Sequence, residues 1–255
     1  MNKELQFPTL RVSPLVETVL SVFVKADELD DEHARKIVHD ACPCFRYMEP
    51  IVDSSLNIDL TKADKNIEPR IIWRGARFRC EQDCRFTLIV RNLPAGTVEV
   101  ALSMLKPYSE WNDFGNIAQP SILSVLRVMN ASALRRIGLR NVNRMYAPRE
   151  RCAMTELIRT FPPSPQGLED GEMREFFLRE TRYDGGTGLY ATVVRMTQPP
   201  TQDGRVPIVF DTDVFRPLDG LLSEAELSRL LADMRYFKNM LFFGTVGERL
   251  MEAFR

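Results

Sequence analysis

No apolar run in this sequence approaches the ~20 residues that a membrane-spanning helix requires; the longest, such as Val19 to Val24 and Met240 to Phe243, stop far short. The opening residues, Met1 to Phe7, offer neither a basic n-region nor a continuous apolar core. No secretory signal is read there, and the chain is expected to be cytoplasmic. Neither charge dominates, since 34 Lys and Arg face 35 Asp and Glu. A balance this close supplies no global field for phosphate backbones or anionic lipid, so binding to either would need a local basic patch. Low-complexity segments are absent too, and a composition 44% hydrophobic and 27% charged is that of a folded globular protein.

Histidine is scarce. The two present, His33 and His39, stand six residues apart in one polar, helical stretch and do not share a helical face, which leaves little material for Ser-His or Cys-His catalysis. No serine sits in a nucleophile-elbow pattern. The glycine cluster Gly185-Gly186-Thr187-Gly188 lacks a following Lys-Ser/Thr and opens onto a strand, so it reads as a hairpin turn and not a phosphate loop. No catalytic residue is assigned, no cofactor is called for, and whether the protein is an enzyme stays open, with the balance against. The standard C-x-x-C zinc spacing is missing as well. Cys42-x-Cys44 and Cys80-x-x-x-Cys84 have four thiols to offer a tetrahedral ion, but neither spacing is the usual one, and reduced thiols are the favoured reading.

What is present is an α+β pattern: a largely antiparallel sheet or sheets packed by amphipathic helices. Leu15 to Val24 reads as a central strand apolar on both faces, interrupted by Glu17, and Asp30 to Val38 as a short helix with acids in its first turn. Strands are expected at Ile71–Trp73 (before Gly75), Cys84–Val90 and Thr97–Leu105, separated by turn residues. Ser109 is a candidate N-cap for a helix through Trp111 and Phe114, restarted at Pro120 and reaching about Met129. After a strand from Arg135 to Met145, further strands fall at Phe176–Tyr183, Leu189–Met196 and Val206–Phe215. Ser223-Glu224-Ala225-Glu226 then forms a capping box ahead of a long C-terminal helix. Its stripe of Leu227, Leu230, Leu231, Met234, Phe237 and Leu241 must bury one face; Gly244 ends it. The chain divides into an N-terminal α+β half, residues 1–146, a Pro-rich connector, 147–172, and a C-terminal β-β-β-α half, 173–255, which together can form one continuous domain. Leu105-Lys106-Pro107 and Phe215-Arg216-Pro217 each close a strand before a helix, which hints at a duplicated β-β-β-α unit; independent use of proline as a strand stop explains them as well.

Two strands carry candidate chemistry. Arg136, Arg140 and Arg144 alternate onto one face of the strand Arg135–Met145, opposite Ile137, Leu139, Asn141, Asn143 and Met145. Such a row either grips phosphates or carboxylates or pairs with acids on a neighbouring strand. Asp211 and Asp213 share a face with Val209 and Phe215, where they serve as metal ligands or as ordinary solvated acids. If the arginines stood beside Lys106, Tyr108 and Trp111, backbone contact and base stacking would become available to a nucleic acid. Glu17, isolated on its apolar strand, is expected to pair with Arg140 or Arg144.

Pro14-Leu15-Val16-Glu17, Leu105-Lys106-Pro107-Tyr108-x-x-Trp111-x-x-Phe114, Ile137-Gly138-Leu139-Arg140-x-x-Asn143-Arg144 and Asp211-x-Asp213-Val214-Phe215 occur in that order along nearly the whole chain. In combination they resemble a sporadically distributed prokaryotic family with no assigned activity. Asn141-Val142 departs from the aromatic-aliphatic pair of that pattern, and the cysteine pairs are no part of it. The resemblance implies the order of the fold and no reaction. A patchy distribution of this kind implies mobile or defence-associated genes. The leading expectation is therefore a non-enzymatic module that binds a cognate protein partner, as an antitoxin, immunity protein or defence-complex subunit does. The alternative is an enzyme or sensor that holds an anionic ligand or nucleotide in a pocket lined by the arginine row, with or without a metal; nucleic-acid binding is the third.

Overall fold

In the computed structural model, residues 7–57, 68–108, 110–147, 154–161 and 175–255 are described. Among them nine strands form one sheet: β1 (Leu15–Lys25), β2 (Phe45–Asn57), β3 (Glu68–Cys80), β4 (Phe86–Leu93), β5 (Thr97–Leu105), β6 (Ala133–Tyr146), β7 (Phe177–Asp184), β8 (Leu189–Thr197) and β9 (Pro207–Gly220). Their order is β2-β3-β4-β5-β1-β6-β9-β8-β7, and every pairing is antiparallel. Strands of both halves of the chain thus share one sheet through the β6–β9 pairing. The helices are α1 (Asp31–Ala41), α2 (Trp111–Val128), α3 (Met154–Leu157), α4 (Glu224–Thr245) and α5 (Glu248–Met251), followed by a 3-10 turn at Glu252–Phe254.

Strand alternation assigns two faces. On β1, Leu20, Val22 and Val24 are fully buried and belong to one core with Val100 and Leu102 of β5, Ile137 and Leu139 of β6, and Val214 of β9. Phe114, Ile122 and Val125 of α2 and Leu227, Met234 and Phe237 of α4 close that core from above. The capping box at Ser223 is formed, with the Ser223 hydroxyl accepting from the Glu226 amide and the Glu226 carboxylate accepting from the Ser223 amide. Residues of opposite parity, including Glu17, Val19, Ser21 and Phe23, stay partly accessible on the other face of the sheet. β1 is central as its apolar content suggested, but it is covered on one face only.

Several boundaries differ from the expectation. β3 does not stop before Gly75; the glycine lets it pass β4, because a Cβ there would stand 2.3 Å from the Val90 carbonyl oxygen. α2 is one helix with Pro120 inside it, and its N-cap is Glu110, which makes no side-chain cap; Ser109 lies outside the described residues. β9 runs on past Pro217 to Gly220. The Asp184–Gly188 segment is the expected hairpin: Gly188, at φ +69°, donates its amide to the Asp184 carbonyl at 2.8 Å. The prolines of the connector, Pro148, Pro162, Pro163 and Pro165, lie outside the described residues. No helix among the described residues is long and apolar enough to cross a membrane.

Candidate functional site: two faces of one sheet

On the face away from the helices, charge and aromatic side chains form cross-strand ladders. Arg140 is taken bidentately by Asp211 on β9, with N···O distances of 2.9 and 2.6 Å, and this carboxylate holds the guanidinium above its usual pKa. Arg136 donates to Asp213 at 2.5 Å. Its guanidinium lies 5.0 Å from the ring centre of Phe23 and 4.5 Å from that of Phe215. Gly138 makes room for that head, since a Cβ there would come within 2.7 Å of an Arg136 nitrogen. The stack continues through Tyr190, 5.4 Å from Phe215, to Tyr183 on β7, 4.7 Å from Tyr190. Arg91 is held by Glu99 across the β4–β5 pair.

Those pairings decide several candidates. Asp211 and Asp213 are the acids that neutralise Arg140 and Arg136 of the row, and no group of three metal-binding side chains occurs among the described residues. Glu17 does not pair with Arg140 or Arg144: its carboxylate accepts from the Ser103 hydroxyl at 2.6 Å, and Arg140 is already held by Asp211. Glu17 on β1 and Asp211 on β9 both lie opposite Val142, on either side of β6; the Arg140 head turns to Asp211, and Glu17 is bonded by Ser103 instead. Among the described residues no carboxylate takes Arg144, whose guanidinium lies 5.6 Å from the Tyr146 ring centre.

Tyr108 and Trp111 are on the other side, with the helices. Tyr108 lines a cavity under α4, and Trp111 packs edge-on against the buried Phe114 with the Arg235 guanidinium 5.6 Å from its ring. Lys106 is exposed at the end of β5, its amide bonded to the Val16 carbonyl. The structure therefore separates these three from the arginine row, which lies on the face away from the helices.

The cysteines divide as well. Cys42 is buried with its thiol directed at the Ser121 carbonyl, 3.7 Å away, and burial raises its pKa. Cys44 lies beside Cys80; burial, and then that neighbouring thiol, push its pKa up. Cys84 is exposed. His33 and His39 are surface groups beside Asp30 and Asp40.

Beneath α4 the covered face carries polar groups that the sequence reading did not single out together. Thr18, Asn141 and Thr212 form one row across β1, β6 and β9, and all three are at most 2% exposed. Asn141 Nδ2 and Thr212 Oγ1 are buried without a hydrogen-bond partner among the described residues. Asn143, one row on, donates to the Phe210 carbonyl at 3.3 Å. Thr212, Asn143, Tyr108 and Lys238 line a cavity of about 90 Å³. Lys238 is partly accessible; burial, helped by the like charge of Arg235, lowers its pKa to about 8. Burial raises the Tyr108 phenol to about 12. A signal for this cluster exists in the sequence: Lys238 stands four residues after Met234 and three before Leu241, on the apolar stripe itself.

No family model matches this chain, and no curated protein matches it.

Proposed function

We propose that the protein works by binding another protein, without catalysis, through the open face and β7 edge of its sheet. The observation that carries this reading is β7 itself. It is the last strand in the sheet order, and it holds Phe177, 64% exposed, and Tyr183, 60% exposed, on the face opposite the helices. A strand edge offers unpaired backbone groups to another chain, and exposed aromatics supply the anchors on which protein interfaces concentrate their energy. The arginines of the same face favour a protein over a nucleic acid. Arg91, Arg136 and Arg140 are each neutralised by an acid on the neighbouring strand, and of the row only Arg144 lacks a carboxylate among the described residues, a small field for a phosphate backbone. A cognate partner from a toxin–antitoxin, immunity or defence assembly is the class that the family resemblance supports.

The order of elements also supports a duplicated origin for the binding platform. β1 through β5 followed by α2, and β6 through β9 followed by α4, each begin with the strand that meets the other at the sheet centre.

The reading is tested with a photo-crosslinker placed at Tyr183 and, as a control on α4, at Ala232, in the native host. One protein should be captured from Tyr183 and not from Ala232. The purified pair should then rebind, with the Tyr183→Ala variant about tenfold weaker. Capture from Ala232 alone, or a purified pair indifferent to Tyr183→Ala, would refute it.

A further inference from the structure

We infer that the cavity beneath α4 is a binding site for a small carboxylate of about the size of acetate. Its polar wall joins the Lys238 amine, the Tyr108 phenol and the Thr212 hydroxyl to Ser13, Asn143 and Asn239, with Asn143 Nδ2 already given to Phe210, and Lys238 is the one charged group in it. No aspartate or glutamate lines it, and among the described residues no carboxylate pairs with Lys238. Burial disfavours the charged form of Lys238, and a buried hydroxyl without a partner is costly, so an acceptor group that reaches both is favoured. Thr212 Oγ1 is such a hydroxyl, in a residue only 1% exposed, and it faces the same cavity as Lys238. A single anion bearing acceptor oxygens answers both groups together.

The size and the remaining wall narrow the ligand. A volume of about 90 Å³ equals roughly three waters at ~30 Å³ each, room for a carboxylate and one or two carbons and too little for a nucleotide. Leu10, Pro14, Leu15, Phe242 and Phe243 make one side of the lining apolar, which suits a methyl group better than the further oxygens of phosphate. The site is independent of the open face, from which the sheet itself separates it.

The test uses the full chain with sodium acetate, sodium phosphate and sodium chloride at matched ionic strength, read by thermal unfolding and by NMR of the Lys238 side-chain amine. Acetate should raise the unfolding temperature saturably, and it should move the Lys238 titration upward from about 8, because a bound anion favours the charged amine. Lys238→Met should weaken the acetate response tenfold or more, and Thr212→Val should weaken it several-fold while keeping the side-chain shape. If Lys238→Met does not fold, the wild-type amine titration decides, and no movement with acetate overturns the proposal. A response to acetate equal to that of chloride, or equal in Lys238→Met, means that only water fills the cavity. Saturable binding of phosphate and not acetate overturns the carboxylate assignment.

Discussion

The two faces of this sheet treat polar groups in opposite ways. On the open face, where water is at hand, Arg136, Arg140 and Arg91 are each matched by an acid one strand away, and even Glu17 has the Ser103 hydroxyl. On the covered face, where water is scarce, Asn141 and Thr212 have polar groups left without a partner among the described residues. Physical cost runs the other way, since an unpaired group is cheap at the surface and expensive inside. A surface whose arginines are mostly paired fits recognition by shape and stacking, and buried unpaired groups in the interior fit a small ligand.

The largest test of the contrast concerns the lid of the covered face. Phe237 is 3% exposed in the core between α4 and the sheet, so Phe237→Ala should lose about 3–5 kcal/mol in denaturant unfolding. A loss below about 0.5 kcal/mol would mean that the α4 stripe does not hold the sheet.

Next in size is the pH dependence of Lys238. Its pKa falls from 10.5 to about 8 on folding, so the folded state resists protonation and the penalty is fully present below pH 8. Stability should rise with pH from about 8 to 10, since the unfolded chain then binds more protons. Above pH 10 the trend is opposed by Tyr108, raised from 10.0 to about 12, because the unfolded chain ionises its tyrosine first. The Lys238 contribution is on the order of 3 kcal/mol without a bound anion. Lys238→Met should flatten the rise and stabilise the ligand-free protein at pH 7; a wild-type profile already flat from pH 8 to 10 would count against an enclosed ammonium.

A double-mutant cycle on Arg140→Met and Asp211→Asn addresses the open face. The Arg140 side chain is 51% exposed, so the coupling should be about 1 kcal/mol, well below that of a buried pair. The cycle on Arg140→Met and Glu17→Gln should give less, because Glu17 is bonded to Ser103. A larger Glu17 coupling would restore the pairing that the strand pattern alone suggested. The smallest expected effect is none: chelation with EDTA should leave thermal unfolding unchanged, and a stoichiometric zinc signal would contradict it.

Sequence pattern was sufficient wherever the physics is local. The capping box at Ser223, the stripe Leu227–Leu241, the hairpin at Asp184–Gly188 and the shared face of Arg136, Arg140 and Arg144 follow from periods and turn chemistry that act within a few residues. Tertiary structure decided which strands lie side by side and which face the helices cover. β6 sits between β1 and β9, with acids on both neighbours, and the arginines bond Asp211 and Asp213, some seventy residues away, while Glu17 is taken by Ser103. The same choice of face put Tyr108 and Trp111 under helices and on the far side from the arginines, and it set Lys238 above Thr212. Strand alternation names two faces without saying which will be dry, because burial depends on where the helices pack and not on any property of the strand alone.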